Sequence, residues 1–193
     1  IGAEALLRWQ HPERGYIAPV CFIPLAEETG QILAIGQRVL KSALSQLRAW
    51  TDEIAESPLR RLAINVSPRQ FREANFVLQF EHALGEAGAD PDRLTLELTE
   101  SIYVEDLEDT IQKMEALKRL GVRFSIDDFG TGFSSLAYIK RMPLDEIKID
   151  RSFICDITTD ASDANLVEII IKMAEQLGLD VIAEGVETQD QLD

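Results

Sequence analysis

The chain has 193 residues, 46% of them hydrophobic and 27% charged, which is enough for one globular domain with a sizeable core. Its formal net charge of -15 argues against unaided binding to a nucleic-acid polymer or an anionic membrane surface, so a small anionic substrate would need metal ions. Two cysteines without CxxC spacing argue against a disulfide framework or thiolate zinc site and favour a reducing compartment.

Strand-like and helix-like segments alternate along the chain. The first run, residues 1–9, is strand-like, and residues 188–193 resemble the first turn of a helix. We therefore expect a single domain over residues 1–193 that is truncated at both ends. Helices are predicted at 32–50, 107–120 and 163–177, because apolar residues recur there with helical periodicity and Gly121 and Gly178 follow the last two. Further strands are predicted at 62–67, 94–100, 122–127, 146–150 and 180–185.

The predicted strands alternate between apolar and polar residues, as in Leu96, Glu97 and Leu98. Buried strands of an open parallel sheet usually read as continuous apolar runs. In a barrel, by contrast, one face packs outward on helices and the other faces the lumen. The alternation predicts an α/β fold, a (β/α)₈ TIM-type barrel that lacks its first and last strands in this chain.

One polar residue lies late in each strand on the predicted inner face, where barrel enzymes build their sites. Oxygen ligands without histidine indicate Mg²⁺ or Mn²⁺. Five carboxylates and one lysine leave a formal charge of about -4, which two divalent ions would balance in a clamp for phosphate-ester hydrolysis. The set is Glu4, Asn65, Glu97, Asp127 with Asp128, Lys148 and Glu184.

Each of these residues also has a plainer interpretation. The carboxylates could be solvated strand ends, and Lys148 could be an ion-pair partner instead of a lysine whose pKa neighbouring dications lower. Gly130 and Gly132 could form only a turn before a helix capped by Ser134 or Ser135, since no GK[ST] follows. Arg8, predicted on the same strand face as Glu4, could contact a phosphate or form a surface ion pair.

Eight sequence blocks occur in order along essentially the whole chain. They are EALLRW (4–9), HPERGYIAP and FIPLAEETG (11–30), NVSPRQF (65–71), ELTES (97–101), DDFGTGFSSL (127–136), PLDEIKIDRSF (143–153) and AEGVET (183–188). In these blocks the sequence resembles the EAL domain family, phosphodiesterases of the bacterial second messenger cyclic di-GMP.

The resemblance implies a barrel that opens cyclic di-GMP to linear pGpG with Mg²⁺ or Mn²⁺. It implies that Lys148 contacts the attacking water, that Arg8 holds a substrate phosphate and that Gln70 lies near the substrate. Two groups of ligands and one of supporting residues follow from it. The first metal would be bound by Glu4, Asn65, Glu97 and Asp127. The second would be bound by Asp127 and Asp128, with Glu184 nearby. The supporting residues, which would hold the site and its loops in place, are Glu100, Asp150 and Glu187.

The resemblance also implies a homodimer, coupled to the metal site through the DDFGTGFSS loop. The expected location is the bacterial cytoplasm, with fused sensor or diguanylate cyclase domains, or an inner-membrane tether, in regions not in this chain. Two alternatives stay open. One is a catalytically silent cyclic di-GMP receptor, and the other is an enolase-type barrel in which a strand-end lysine abstracts a proton.

Overall fold

The computed structural model describes residues 2–53, 61–103, 106–132 and 136–192. It divides into two compact units, residues 1–96 with 116–122 and residues 97–115 with 123–193. The single domain expected over residues 1–193 stays a prediction, and the units are described separately. The alternative cap residues Ser134 and Ser135 lie outside the described residues.

The first unit pairs strand β1 with strand β4 in parallel, so that Glu4 lies beside Ala63. Strands β2 and β3 form an antiparallel hairpin, and the order of bonded strands is β1-β4-β5. Its elements are β1 (Gly2–Ala5), β2 (Trp9–His11), β3 (Gly15–Ile17), α1 (Pro19–Thr29), α2 (Gln31–Glu53), β4 (Arg61–Asn65), α3 (Pro68–Arg72), α4 (Phe76–Ala87), a 3₁₀ helix (Pro91–Arg93) and the start of β5 (Leu94–Thr99).

The second unit continues from β5 with the strand order β5-β6-β7-β8, and β7 pairs in parallel with both β6 and β8. The last residues of α5 are counted with the first unit. Its elements are a 3₁₀ helix (Glu100–Tyr103), α5 (Leu107–Lys118), β6 (Arg123–Phe129), α6 (Leu136–Ile139), β7 (Glu146–Ile149), α7 (Arg151–Cys155), α8 (Ala161–Leu177), β8 (Asp180–Ala183) and α9 (Gln189–Leu192).

The strand-helix alternation predicted from the sequence is confirmed in both units, and each predicted strand after the first overlaps an observed one. The predicted apolar face of β5 is buried, with Leu94, Leu96 and Leu98 fully excluded from solvent. Gly178 ends α8 in the left-handed conformation at φ 70°, and its N–H bonds the carbonyls of Ala174 and Glu175. None of the helices in the described ranges is both long enough and apolar enough to span a membrane.

The continuous strand predicted for residues 1–9 is wrong beyond Ala5. Residues 6–8 have no regular structure, and Trp9 begins the separate β2–β3 hairpin. His11 closes the hairpin turn, because its Nδ1 accepts the backbone N–H groups of Glu13 (3.1 Å) and Arg14 (3.3 Å). Arg8 therefore does not share a strand face with Glu4.

Two helical glycines of the first unit are expected to respond oppositely to alanine. A Cβ on Gly36 of α2 would lie 2.1 Å from the buried Gln70 Oε1, whereas one on Gly85 of α4 would meet nothing within 4 Å. We expect Gly36→Ala to lower the free energy of unfolding by about 1–3 kcal/mol through overpacking. The matched Gly85→Ala should raise it by about 0.5–1 kcal/mol, because alanine is the better helix former. Urea unfolding of both variants measures this, and equal effects would contradict the close packing at Gly36.

Candidate active site

A β-bulge in β6 sets the geometry of the two adjacent aspartates. Ile126 pairs with Ile147 and Phe129 pairs with Ile149, so both Asp127 and Asp128 stand opposite the single residue between them on β7. Asp128 is the extra residue of the bulge. Its backbone adopts the left-handed conformation at φ 53°, which aspartate tolerates better than most residues. The bulge lets neighbouring carboxylates approach one another, which regular strand alternation would forbid.

Lys148 of β7 lies at the centre of a partly buried ionic group, here called the lysine cluster. Its Nζ is 3.0 Å from Glu97 Oε1, 3.0 Å from Asp127 Oδ1 and 2.7 Å from Glu184 Oε1. Burial alone would lower the pKa of Lys148, but hydrogen bonding to Glu184 and the charges of Glu97 and Asp127 outweigh it and raise the pKa above its ordinary value. The ion-pair interpretation of Lys148 is therefore confirmed, and a pKa lowered by dications stays a prediction.

Asp128 is held beside three other carboxylates. Loss of hydration, followed by the charges of Asp127, Asp150 and Glu184, raises the pKa of Asp128 to about 6. Burial opposes the ionised form of Asp150 as well, but bonds from the side chain and backbone of Ser152 outweigh it and lower the pKa of Asp150. Asp150 thus caps helix α7, because its Oδ1 accepts the Ser152 N–H at 2.9 Å.

The residues present fit a divalent cation. Asp127, Asp128 and Glu184 each offer a carboxylate oxygen, and these oxygens lie within 4.8 Å of one another. Ligands on opposite sides of a Mg²⁺ ion are about 4 Å apart, so small side-chain adjustments would close the group around one. The lysine cluster together with Asp128 holds four carboxylates and one ammonium, and the excess negative charge favours cation binding.

The first unit contributes two of the predicted ligands. Asn65 ends strand β4, and its Nδ2 donates a hydrogen bond of 2.6 Å to Glu4 Oε1 on strand β1. Both side chains are exposed to solvent. Because the amide nitrogen of Asn65 is directed at Glu4, its carbonyl oxygen is the atom that a cation would use.

Arg8 lies beside a cleft of about 350 Å³ that is bordered by Trp9, Phe22, Leu25 and Ala26 among others. Its Nη1 donates to the Leu7 carbonyl at 3.0 Å. Trp9 meets Phe22 edge to face with ring centroids 5.4 Å apart, which gives the cleft an aromatic border. Arg8 therefore lies in the loop after β1 and not in the strand itself, and it is available there to bind an anion.

Gln70 lies on helix α3 and is buried. Its side chain is buried against Gly36, and it lines a separate cleft of about 480 Å³ formed by helices α2 and α4. In this arrangement Gln70 packs helices of the first unit together. Its predicted contact with substrate stays a prediction.

Two predicted supporting residues lie in the second unit, Glu100 at the start of the 3₁₀ helix after β5 and Glu187 in the loop after β8. Glu100 is buried, and its Oε1 accepts the Gly130 N–H at 2.7 Å. A Cβ on Gly132 would lie 2.5 Å from Glu100 Oε2, so this loop packs tightly on the carboxylate. Glu187 is exposed, and its backbone N–H donates to Gln191 Oε1 at 2.8 Å.

The sequence analysis missed Gln191. Its Oε1 also accepts the Thr188 N–H at 3.0 Å, and its Nε2 donates to the carbonyls of Ile154 (3.2 Å) and Cys155 (3.3 Å). Gln191 thus ties the segment after Glu184 to the end of helix α7. A polar residue in the last helical turn has no periodicity or motif that would have indicated this role.

Comparisons with known proteins agree on one family. The EAL domain model matches residues 1–193. The bifunctional diguanylate cyclase/cyclic di-GMP phosphodiesterase MucR of Pseudomonas aeruginosa is 46% identical over 191 residues, 99% of this chain and 28% of MucR. The cyclic di-GMP phosphodiesterase NbdA of the same species is 45% identical over 189 residues, 98% of this chain and 24% of NbdA.

A solved structure supports the fold. The PaMucR phosphodiesterase in complex with cyclic di-GMP superimposes with a TM-score of 0.91 at 45% identity, covering 97% of this chain and 75% of that one. This match confirms the predicted fold class, an incomplete (β/α)₈ barrel of the EAL type. The chain spans about a quarter of the length of the two curated relatives.

Proposed function

Because the chain belongs to the EAL domain family, we propose that it is a metal-dependent, cyclic-guanylate-specific phosphodiesterase that hydrolyses cyclic di-GMP to linear pGpG. The observation that carries the proposal is the lysine cluster beside Asp128. The buried Lys148 ammonium contacts three carboxylates. Two of them, Asp127 and Glu184, also have carboxylate oxygens within 4.8 Å of one another and of Asp128. The group thus combines a hydrogen-bond donor with a site for a cation. The names of MucR and NbdA support cyclic di-GMP as the substrate.

The ligand assignment follows the family motifs. Two ions, Mg²⁺ or Mn²⁺, would supply Lewis-acid stabilisation of the phosphate and a nucleophile at neutral pH when bound. The first would be held by Glu4, Asn65, Glu97 and Asp127, and the second by Asp127 and Asp128 with Glu184 nearby. The proximity of Asp127, Asp128 and Glu184 supports the second set. Assigning Glu4 and Asn65 to the same site as Glu97 rests on the family resemblance.

The side chains themselves would orient the reactants. The raised pKa of Lys148 keeps it an ammonium. Its three N–H donors contact Glu97, Asp127 and Glu184 here, and one of them would turn to hold a water when the ions bind those carboxylates. Asp150 would hold Asp128 through the hydrogen bond between their side chains. Glu100 would hold the loop that follows Asp128 through its hydrogen bond to the Gly130 N–H. Arg8 would take a non-bridging phosphate oxygen, since guanidinium groups match phosphate geometry.

The remaining proposals concern the whole protein. We infer a homodimer in the bacterial cytoplasm, in which sensor or diguanylate cyclase domains accompany this region or an inner-membrane tether anchors it. The name of MucR, which joins a cyclase with a phosphodiesterase, supports fused domains.

The function is tested on the full-length protein with cyclic di-GMP and Mn²⁺ or Mg²⁺, following pGpG by anion-exchange chromatography. We expect product that disappears with EDTA and with Glu4→Ala, because both remove metal binding. Glu81→Ala, which removes an exposed carboxylate of α4, is the matched control and should leave turnover unchanged.

Three outcomes would contradict the proposal or its ligand assignment. Saturable nucleotide binding without product would make the protein a silent receptor. Neither product nor binding would remove cyclic di-GMP as the ligand, and turnover retained by Glu4→Ala would remove Glu4 from the metal site.

A further inference from the structure

The C-terminal end of helix α1 needs a positive charge that its own sequence does not provide. Helix ends leave carbonyl groups unbonded and carry partial negative charge. The last turn of α1 has no basic residue, and Glu27 and Glu28 add negative charge there. Gly30 then ends the helix in the left-handed conformation at φ 78°.

Arg69 of helix α3 supplies this charge from about forty residues further along the chain. Its Nη1 donates to the carbonyl oxygen of Glu27 and, at 3.4 Å, to that of Glu28. Gly30 leaves room for the guanidinium, since a Cβ there would lie 3.2 Å from Arg69 Nη2. Arg69 is thus a C-terminal cap for α1 that acts from a different helix.

Helix α3 is a firm anchor for this arginine. It begins three residues after Asn65 and is capped by Ser67, whose Oγ accepts the Gln70 N–H at 3.1 Å. Phe71 is buried and packs on Phe76 with ring centroids 5.0 Å apart. The position of Arg69 is therefore set by the same core that holds the end of strand β4.

Helix α1, on the other side of this contact, borders the cleft beside Arg8. Phe22 and Ala26 are buried, and both line that cleft together with Leu25. A change in the position of α1 would therefore move the wall that faces Arg8. The Arg69 contact connects the helix that follows Asn65 to this wall.

We propose that Arg69 is a positioning residue for substrate binding, which fixes the α1 wall of the Arg8 cleft relative to the strand that carries Asn65. This inference rests on the proposed function. Arg69 acts through α1 and does not touch the reacting atoms. Its loss should therefore weaken substrate binding and leave the chemical step almost unchanged.

The test measures KM and kcat for cyclic di-GMP in the full-length protein carrying Arg69→Ala or Arg69→Lys. For Arg69→Ala we expect KM to rise about three- to tenfold, as for loss of a helix-terminal charge interaction. Its kcat should stay within about twofold of the wild type. Arg69→Lys should restore part of the affinity, because it keeps the charge but loses the planar fork. Arg38→Ala, which removes an exposed arginine of α2, is the control and should change neither constant.

A second variant and a binding measurement distinguish failure of this inference from failure of the proposed function. Gly30→Ala should raise KM in the same direction, because it strains a left-handed position and crowds Arg69. Equilibrium binding of cyclic di-GMP in EDTA gives the affinity without turnover. Unchanged KM and affinity in folded Arg69→Ala would overturn the inference while leaving the proposed function intact. A wild-type protein that neither binds nor hydrolyses cyclic di-GMP would overturn both.

Discussion

Replacing Lys148 by methionine is expected to lower both stability and turnover. The side chain of Lys148 is 6% exposed and that of Glu97 3%, so removing the ammonium leaves carboxylates facing one another with little water between them. Breaking a buried ion pair from one side costs about 3–5 kcal/mol. Cyclic di-GMP turnover should fall by about a hundredfold, because the attacking water would lose the ammonium that orients it, and misplacing a reactant costs about that factor.

A second substitution separates the two effects of Lys148→Met. Adding Glu97→Gln removes one of the uncompensated charges and should recover part of the lost stability, whereas turnover should stay low because the ammonium is still absent. Urea unfolding in EDTA measures the first effect and pGpG formation the second. Near-normal turnover in a folded Lys148→Met protein would show that Lys148 is only an ion-pair residue.

The strands and long helices could be predicted because their side-chain patterns report burial directly. The apolar positions 94, 96 and 98 of β5 alternate as a strand face must, and α8 was placed to within two residues of its start. The strand predicted for residues 1–9 failed because apolar content alone does not show that the chain leaves the sheet. The turn held by His11 Nδ1 depends on side-chain to backbone bonds that periodicity does not encode.

The candidate site was predictable to the extent that alternation along a strand, or parity, determines which face of the sheet a side chain lies on. Parity brought Glu97, Asp127 and Lys148 to one face, and the structure joins them within 3.0 Å. It could not bring Asp128 there, since that needs a bulge and a left-handed backbone. Nor could it show that Gln70 packs on Gly36, because a short helix after a strand can turn its residues towards either side.

Replacing Asp128 by asparagine is expected to have opposite effects on activity and stability. Turnover should fall by about a hundredfold or more, since replacing an anionic metal ligand by a neutral amide weakens metal binding and removes several kcal/mol of transition-state stabilisation. In EDTA at neutral pH the variant should nevertheless unfold at higher urea concentration than the wild type. Asparagine relieves the repulsion from Asp127, Asp150 and Glu184, and it tolerates the left-handed conformation at φ 53°.

The pH dependence of the gain in stability of Asp128→Asn distinguishes relief of charge repulsion from better packing. The pKa of Asp128 is raised from 3.8 to about 6 in the folded state, so its contribution to stability is fully present below about pH 4. That contribution is lost as the pH rises through about 6, because the folded protein must then hold the ionised group among like charges. Asparagine cannot ionise, so the advantage of Asp128→Asn should be largest above pH 7 and should disappear near pH 4.

Urea unfolding of both proteins between pH 4 and 8 in EDTA measures the difference, and titrating groups remote from Asp128 cancel because they are common to both. An advantage that stays constant with pH would contradict the repulsion. Added Mn²⁺ should reverse the order, since a cation that binds the folded wild type more tightly stabilises it more. The charge that destabilises the metal-free protein would then be the charge that the ion requires, which explains why aspartate occupies a backbone position that asparagine or glycine would fill at lower cost.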